Sequence, residues 1–227
     1  MRQPPFAVRA VILDLDGTLL HTLPDLVAGA NAMLSELGFA PLPAHQIGDF
    51  VGKGASNLVS RCLQVYLSPG ECEVLHPRAL SVFEVHYARV NGEYAEVFPG
   101  VVEGLEAMRA MGLRLALVTN KPYQFTPPLL KAKGLWDYFE LALGGDSLPH
   151  KKPDPAPFLH VAKVFGLPAQ QVLTIGDSSN DALAGKAAGM PVLLVPYGYN
   201  HGEAIDRSPS DGIVSSIAQA ASLLVRA

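Results

Sequence analysis

The stretch Val11–Leu20, VILDLDGTLL, joins an apolar run to two aspartates one residue apart, and a glycine follows them. An apolar run that ends in charged side chains is typical of a buried parallel strand whose carboxyl end reaches a ligand crevice. Two carboxylates this close repel each other unless a cation lies beside them or one of them holds a proton. The stretch therefore predicts a central strand that places Asp14 and Asp16 beside a cation.

Three further apolar runs resemble this strand, and helical segments separate them. The four runs are VRAVILDL (8–15), LRLALVTN (113–120), QVLTIGD (171–177) and PVLLVP (191–196). Between them lie helical patterns at 101–111, 125–133, 155–165 and 181–188, with Asp154 and Asn180 as N-caps of the last two. This alternation predicts an α/β fold with a Rossmann-like parallel-sheet core.

The segment 20–96 interrupts this alternation. It carries helical patterns at 24–38, 55–67 and 71–90 and has no convincing strand. An insertion directly after the carboxyl end of a strand lies over the ligand crevice of an open sheet. We therefore predict an α/β core formed by residues 1–19 and 97–227 and an inserted all-helical cap formed by 20–96. The alternative is that these helices belong to the layers of the core.

Composition excludes several classes of protein. The chain has 227 residues, of which 49% are hydrophobic, and a net charge of -4, which argues against a nucleic-acid-binding face. No stretch approaches the length of a membrane span, and the first residues lack the apolar region of a signal peptide. The two cysteines form neither a disulfide framework nor a metal-binding pattern. We expect a cytoplasmic protein, monomeric or homodimeric, that binds neither nucleic acid nor membrane.

Four polar clusters follow the predicted strands or lie between them. They are DLDGT (14–18), TN (119–120), KKPDP (151–155) and GDSSND (176–181). Residues at the carboxyl ends of neighbouring parallel strands converge in one crevice. Oxygen ligands suit a hard ion, so the acidic side chains there predict a Mg²⁺ site.

The two aspartates of the first cluster have different predicted tasks. In a regular strand Asp14 and Asp16 point to opposite faces, so they do not both bind one ion through their side chains. A turn at Gly17 allows one carboxylate and one backbone carbonyl to bind the metal, which leaves the other aspartate for proton transfer.

The remaining clusters supply groups that bind phosphate. Lys152 is a compact cation that offsets phosphate charge, and Thr119 and Asn120 can donate hydrogen bonds to phosphate oxygens. A carboxylate nucleophile, Mg²⁺, a lysine and short donors together fit phosphoryl transfer through an aspartyl-phosphate.

With these four clusters in this order, the chain resembles the haloacid dehalogenase superfamily of phosphatases over nearly its whole length. The stretches LVTNKP, GGDSLPHKKPDPAP, GDSSNDALAGKAAG and YGYNHGEAID are most similar to the bacterial phosphoglycolate phosphatases of that superfamily. The resemblance implies hydrolysis of a small phosphorylated metabolite, with 2-phosphoglycolate as the substrate and Mg²⁺ as the cofactor. The alternatives are a sugar-phosphate phosphatase, including one for amino-sugar phosphates, a phosphosugar mutase, or a phosphate-binding module without turnover.

The resemblance also implies roles for individual residues. Asp14 is the implied nucleophile and a metal ligand, and Asp16 is the implied general acid and base, whose backbone carbonyl binds the metal. Thr119 and Asn120 are implied to hold phosphate, and Lys152 to orient Asp14. Asp177 is the implied further metal ligand, with Asp181 in or next to the groups that surround the ligands.

Two positions near the cap bear on the identity of the substrate, and the first of them departs from the pattern of the superfamily. Relatives often have Asp-Ser where this chain has His21-Thr22, at the hinge that leads into the cap. Lys53, within VGKGAS (51–56), is a candidate to bind a second anion of the substrate, such as a carboxylate. The alternative for Lys53 is a solvated lysine at the start of a helix.

Overall fold

A computed structural model describes residues 3–227 of the chain. The strands in this range are β1 (Phe6–Val8), β2 (Ala10–Leu13), β3 (Leu20–His21), β4 (Glu96–Val97), β5 (Arg114–Val118), β6 (Leu141–Leu143), β7 (Val172–Gly176), β8 (Val192–Leu194), β9 (Gly212–Ile213) and β10 (Leu224–Arg226). The helices are α1 (Leu23–Glu36), α2 (Ala44–Gly48), α3 (Ala55–Gln64), α4 (Pro69–Val90), α5 (Val101–Ala110), α6 (Thr126–Ala132), α7 (Ala156–Phe165), α8 (Ser179–Ala187) and α9 (Ile217–Ser222).

Six strands form one parallel sheet in the order β6-β5-β2-β7-β8-β9. The chain builds outward from β2 to β5 and β6 on one side, and then to β7, β8 and β9 on the other. The strand order therefore reverses between β2 and β7, which is where open α/β sheets bind ligands. Leu13, the last residue of β2, pairs with Leu117 and Ile175, so the three central strands end at the same edge.

Helices cover both faces of this sheet, which explains the near-continuous apolar runs. Val11 and Leu13 of β2 face a cluster that includes side chains of α5, α6 and α9. Ala10 and Ile12 face the opposite cluster, to which α7 and α8 contribute. Because both faces of the sheet are buried, nearly every residue of its central strands is apolar, whichever face its side chain points to. The predicted α/β fold with a Rossmann-like core and a helical insertion is confirmed.

Helices α1 to α4 carry a separate cluster of buried side chains. Met33, Leu58, Phe83 and Tyr87 belong to it, and Phe125 joins it from outside the segment 20–96. The strands β3 and β4 pair antiparallel where the chain enters and leaves these helices, so the segment is not free of strands as we predicted. The division into a core and a cap at residues 20 and 96 stays a prediction.

Two local predictions are wrong. The apolar run 8–15 is not one strand, because the chain breaks at exposed Arg9, and β1 pairs with β10 in a separate two-stranded sheet. The N-cap of α7 is Pro155 and not Asp154. Asp154 still accepts a hydrogen bond from the Ala156 N–H (2.8 Å), so it supports the first turn from one position further out.

No helix in the described range is both long enough and apolar enough to cross a membrane.

Candidate active site

The loop after β2 directs its two aspartates to two different lysines. Asp14 lies 2.8 Å from Lys152 Nζ, whereas Asp16 accepts a hydrogen bond from Lys121 Nζ at 3.0 Å. Both lysines are buried. The separation of the two carboxylates agrees with the expectation that they have different tasks, and it gives each one its own cation.

Lys152 contacts groups that lie at or after the carboxyl ends of three neighbouring strands, β2, β5 and β7. Its ammonium donates to Asp181 Oδ1 at 2.7 Å and to the Val118 carbonyl at 2.8 Å, in addition to its contact with Asp14. Burial alone would lower the pKa of Lys152, but the carboxylates of Asp14 and Asp181 raise it above its usual value. Lys152 is therefore charged and fixes the orientation of Asp14.

Three carboxylates meet beside Lys152. Asp14, Asp177 and Asp181 each place an oxygen within 4.8 Å of the others. Burial, opposed by Lys152 and reinforced by Asp181, raises the pKa of Asp14 to about 7. Burial and the nearby carboxylates also raise the pKa of Asp177 well above its usual value. One lysine does not compensate three buried acids, and this all-oxygen group fits a hard divalent cation such as Mg²⁺.

The backbone approaches Asp177 closely on two sides. A Cβ at Gly17, where φ is +85°, would lie 2.3 Å from Asp177 Oδ2, and one at Gly198 would lie 2.2 Å from the same atom. Thr18 Oγ1 donates to Asp177 Oδ1 at 3.1 Å, and the Tyr199 N–H donates to Oδ2 at 2.5 Å. Only glycine allows this approach at both positions, so the loops after β2 and β8 together position this carboxylate.

The start of α8 differs from the prediction. Its N-cap is Ser178, and Asn180 lies inside the helix. Asp181 Oδ2 accepts from the Ser178 N–H at 3.3 Å as part of a capping box, and it also accepts from Ser178 Oγ at 2.8 Å. Its other oxygen accepts from Lys152. With both oxygens engaged, Asp181 supports Lys152, and its implied place next to the metal ligands stays a prediction.

Thr119 and Asn120 lie at the carboxyl end of β5. Thr119 Oγ1 accepts from the Lys121 N–H at 3.2 Å, which leaves its own O–H to donate to a ligand. The side-chain amide of Asn120 donates to the carbonyls of Gly52 and Lys152, both at 2.9 Å. Asn120 therefore attaches the loop before α3 to the sheet, and its contact with phosphate stays a prediction.

Lys53 is not brought into the site. Its side chain is exposed and does not line the cavity, although its neighbours Gly52 and Gly54 do. Its carbonyl accepts a hydrogen bond from Lys151 Nζ at 2.9 Å, so the contact of this residue with the rest of the protein is through its backbone. The alternative of a solvated lysine describes this position.

A cavity of about 40 Å³ lies above Asp14 and Asp16, between the sheet edge and the helices α1, α3 and α4. The residues that line it are Asp14, Asp16, Leu26, Val51, Gly52, Gly54, Ala55, Leu58, Phe83, Tyr87, Thr119, Asn120, Lys121, Pro122, Phe125, Asp177, Ser178 and Tyr199. The acids and short polar groups lie on the sheet side, whereas aliphatic and aromatic side chains from the helices form most of the opposite wall.

The sequence did not single out two residues that line this cavity, Lys121 and Tyr87. Lys121 was visible as the residue after the TN cluster, but nothing distinguished it from a solvated lysine. Tyr87 lies four residues after Phe83 in α4, a spacing that is typical of a core aromatic pair. In the structure the Tyr87 ring stacks on Phe83 at 5.3 Å, and its hydroxyl accepts from Lys121 Nζ at 2.6 Å.

The loop YGYN after β8 also has a task that its residue types did not reveal. The Tyr199 hydroxyl lies 2.7 Å from His21 Nδ1 and accepts from the Leu23 N–H at 3.0 Å. His21 is therefore held at the junction between β3 and α1, on the side of the hinge that faces Asp177. This placement fits a hinge role for His21.

Comparisons with known proteins agree with this architecture. The curated phosphoglycolate phosphatase of Thiobacillus denitrificans is 46% identical over 228 residues and is covered completely, as is this chain. That of Nitrosospira multiformis is 47% identical over 220 residues, 97% of each chain. A crystal structure described as a predicted phosphoglycolate phosphatase from Haemophilus somnus superposes with a TM-score of 0.87 at 35% identity, covering 93% of this chain and 95% of that one.

A family model supports the same conclusion from the sequence side. The model of the haloacid dehalogenase-like hydrolases matches residues 8–189, a range that contains all four polar clusters. The chain therefore belongs to the haloacid dehalogenase-like hydrolase family.

Proposed function

We propose that this hydrolase is a Mg²⁺-dependent phosphatase that converts 2-phosphoglycolate to glycolate and phosphate through an aspartyl-phosphate at Asp14. The observation that carries the proposal is the placement of Asp14. Its carboxylate lies at the base of a cavity, is held by the charged Lys152 at 2.8 Å, and is separate from the Asp16 carboxylate, which lines the same cavity.

The two aspartates divide the reaction between them. An Asp14 oxygen attacks phosphorus as the bond between phosphorus and the glycolate oxygen breaks, and Asp16 gives its proton to that oxygen. Asp16 then takes a proton from water, and the water oxygen attacks phosphorus and breaks its bond to Asp14. Inorganic phosphate leaves, the Asp14 carboxylate is restored, and Asp16 again holds the proton that it gave in the first step. Thr119 donates its O–H to a phosphate oxygen during both steps.

The carboxylates of Asp14 and Asp177 and the backbone carbonyl of Asp16 would hold Mg²⁺. The bound ion offsets the negative charge of the phosphate and of Asp14. Lys152 and Asp181 keep Asp14 in the orientation for attack, since the lysine contacts both acids.

The apolar side chains that line the cavity favour a small substrate with few hydroxyl groups. Leu26, Leu58, Phe83 and Phe125 offer no partner for the hydroxyl groups of a sugar, and unpaired buried hydroxyls are costly. The names of the curated relatives agree with a two-carbon substrate.

The phosphosugar mutase alternative lacks support from the cap. A mutase needs a further acid or base that takes the proton of the sugar hydroxyl when this hydroxyl receives the phosphate. The part of residues 20–96 that lines the cavity contributes no carboxyl or imidazole group. Burial raises the pKa of Tyr87 in this wall to about 12, so its hydroxyl is a poor base at neutral pH.

A panel of phosphomonoesters tests the proposal. We expect the highest kcat/KM for 2-phosphoglycolate over sugar and amino-sugar phosphates, and loss of phosphate release in excess EDTA that Mg²⁺ restores. Metal-independent turnover, or a preference for sugar phosphates, would refute it. Ligand binding without turnover across the panel would instead support a binding module.

Asp16→Asn is expected to slow both half-reactions by about 10²- to 10⁴-fold, because the amide neither gives nor takes the proton. Asp14 can still attack, so phospho-enzyme should accumulate when the substrate has a good leaving group. Rapid quenching followed by intact-protein mass spectrometry measures the adduct. A variant that turns over at the wild-type rate would show that Asp16 is not the acid and base.

A further inference from the structure

The cavity contains a cation that the reaction steps above do not use. Lys121 is the only cationic side chain among the residues of the described range that line it. Its side chain is 3% exposed, which is costly for a lysine unless its charge is compensated. The Asp16 carboxylate, 3.0 Å away, compensates that charge. The ammonium of Lys121 therefore lies beside the space that the substrate would occupy.

The hydrogen bonds of Lys121 include one long contact that a ligand can replace. An ammonium has three N–H donors. Nζ donates to the Tyr87 hydroxyl at 2.6 Å and to the two Asp16 oxygens at 3.0 and 3.4 Å. The 3.4 Å contact is the longest of the three, so its donor can turn to a carboxylate that enters the cavity.

The position of Lys121 relative to Asp16 suits the length of a two-carbon acid. In the proposed reaction the glycolate oxygen lies against Asp16, which protonates it. In phosphoglycolate the nearest carboxylate oxygen lies about 3 Å from that ester oxygen, across two carbon atoms. Lys121 Nζ lies 3.0 Å from Asp16 Oδ1, and both residues line the cavity. A carboxylate at this spacing therefore comes within hydrogen-bonding distance of the ammonium.

Tyr87 fixes the ammonium in this place from the opposite side of the cavity. Its ring lies between Phe83 and Phe125, at centroid distances of 5.3 and 5.1 Å, and is 1% exposed. Lys121 Nζ lies 4.7 Å from the centroid of this ring. Because Tyr87 belongs to α4 and Lys121 follows β5, the anion site is complete only when the helical segment packs against the sheet edge.

We propose that Lys121, positioned by Tyr87, binds the carboxylate of the substrate and makes the enzyme selective for phosphorylated short hydroxy acids. This inference rests on the proposed function, and it assigns to Lys121 the second-anion role that the sequence suggested for Lys53. Lys121 would then contact the substrate directly, whereas Tyr87 is a positioning residue.

Two substrates that differ at one group test the assignment. They are 2-phosphoglycolate and 2-hydroxyethyl phosphate, in which a hydroxymethyl group replaces the carboxylate. We expect Lys121→Met to lower the ratio of kcat/KM for the acid to kcat/KM for the alcohol by about 100-fold, because a buried carboxylate loses its charged partner. Lys121→Arg, which keeps the charge, should recover part of that ratio. Equal losses for both substrates would mean that Lys121 acts only through Asp16 and would overturn the proposal.

Tyr87→Phe tests the positioning role with little change in packing. Its expected effect is a smaller fall in the same ratio, about 5-fold, mainly through KM for the acid. Lys53→Met tests the rival lysine, and a fall in the ratio with this variant but not with Lys121→Met would contradict the assignment. Lys163→Met, on the exposed side of α7, is the matched control and should keep both values.

Binding measurements separate the failure of this inference from failure of the proposed function. Calorimetry should show that Lys121→Met weakens the binding of glycolate by at least about 10-fold relative to the wild-type protein, whether or not the variant turns over substrate. A wild-type protein that does not prefer 2-phosphoglycolate would refute the proposed function and this inference together. A wild-type preference that persists in Lys121→Met would refute this inference alone.

Discussion

Asp14→Asn is expected to lower the turnover of 2-phosphoglycolate by more than about 10⁴-fold, because an amide cannot form the phosphorylated intermediate. The substitution keeps the size of the side chain and removes one of three crowded carboxylates, so the variant should fold. Steady-state phosphate release gives the rate, and incubation with substrate followed by mass spectrometry should reveal no phosphorylated protein.

The matched control for this result is Asp137→Asn, an exposed aspartate that lies outside the four clusters. It should retain wild-type turnover and circular dichroism. Substantial activity in a freshly purified Asp14→Asn protein, with deamidation excluded by mass, would mean that another group attacks phosphorus. A general-base mechanism with direct attack by water would then replace the covalent one.

Lys152→Met is expected to reduce both turnover and stability. The buried ammonium contacts Asp14 at 2.8 Å and Asp181 at 2.7 Å, and its removal leaves these two acids facing each other without a cation. Breaking a buried ion pair on one side typically costs about 3–5 kcal/mol of unfolding free energy. Because Asp14 also loses its orientation, we expect turnover to fall by at least about 10³-fold.

Urea denaturation and phosphate release, each measured with Mg²⁺ and with EDTA, separate the two effects. If Mg²⁺ offsets the same charges, the stability loss should be larger in EDTA. Lys151→Met is the neighbouring control, since Lys151 is exposed and its ammonium donates to the Lys53 carbonyl rather than to a carboxylate. Its expected stability change is below about 1 kcal/mol. A Lys152→Met protein as stable as this control would show that Lys152 does not compensate the buried acids.

The central sheet and the polar residues at the carboxyl ends of its strands could be predicted because the sequence pattern that reveals them is local. A strand buried on both faces must be apolar along its whole length, and the polar residues that follow it must lie at the sheet edge. This reasoning identified Asp14 and Asp177 without knowledge of the fold. It failed at Arg9, where a single exposed residue divides an apolar run between two sheets, and at β3 and β4, which are too short to show a pattern.

In the helical segment 20–96, the same reasoning did not identify which side chains line the cavity. A lysine and a glycine-rich loop predicted an anion site at Lys53, but residue type does not reveal which side chain a loop turns towards the cavity. The structure exposes Lys53 and buries Lys121, and only packing between α4 and the loop after β5 creates the contact of Tyr87 with Lys121. These two residues are 34 positions apart and belong to patterns that each look ordinary on their own.

By itself, therefore, the sequence determined the α/β class and the convergence of Asp14, Asp177, Asp181 and Lys152 at one edge of the sheet. These follow from burial and from the repulsion of like charges, which act on residues that strand ends bring together in every fold of this type. Only the tertiary structure decided which lysine each aspartate contacts and which lysine lines the cavity. Those pairings depend on the direction of side chains from separate elements. The order of residues in a stretch such as VILDLDGTLL does not reveal that direction.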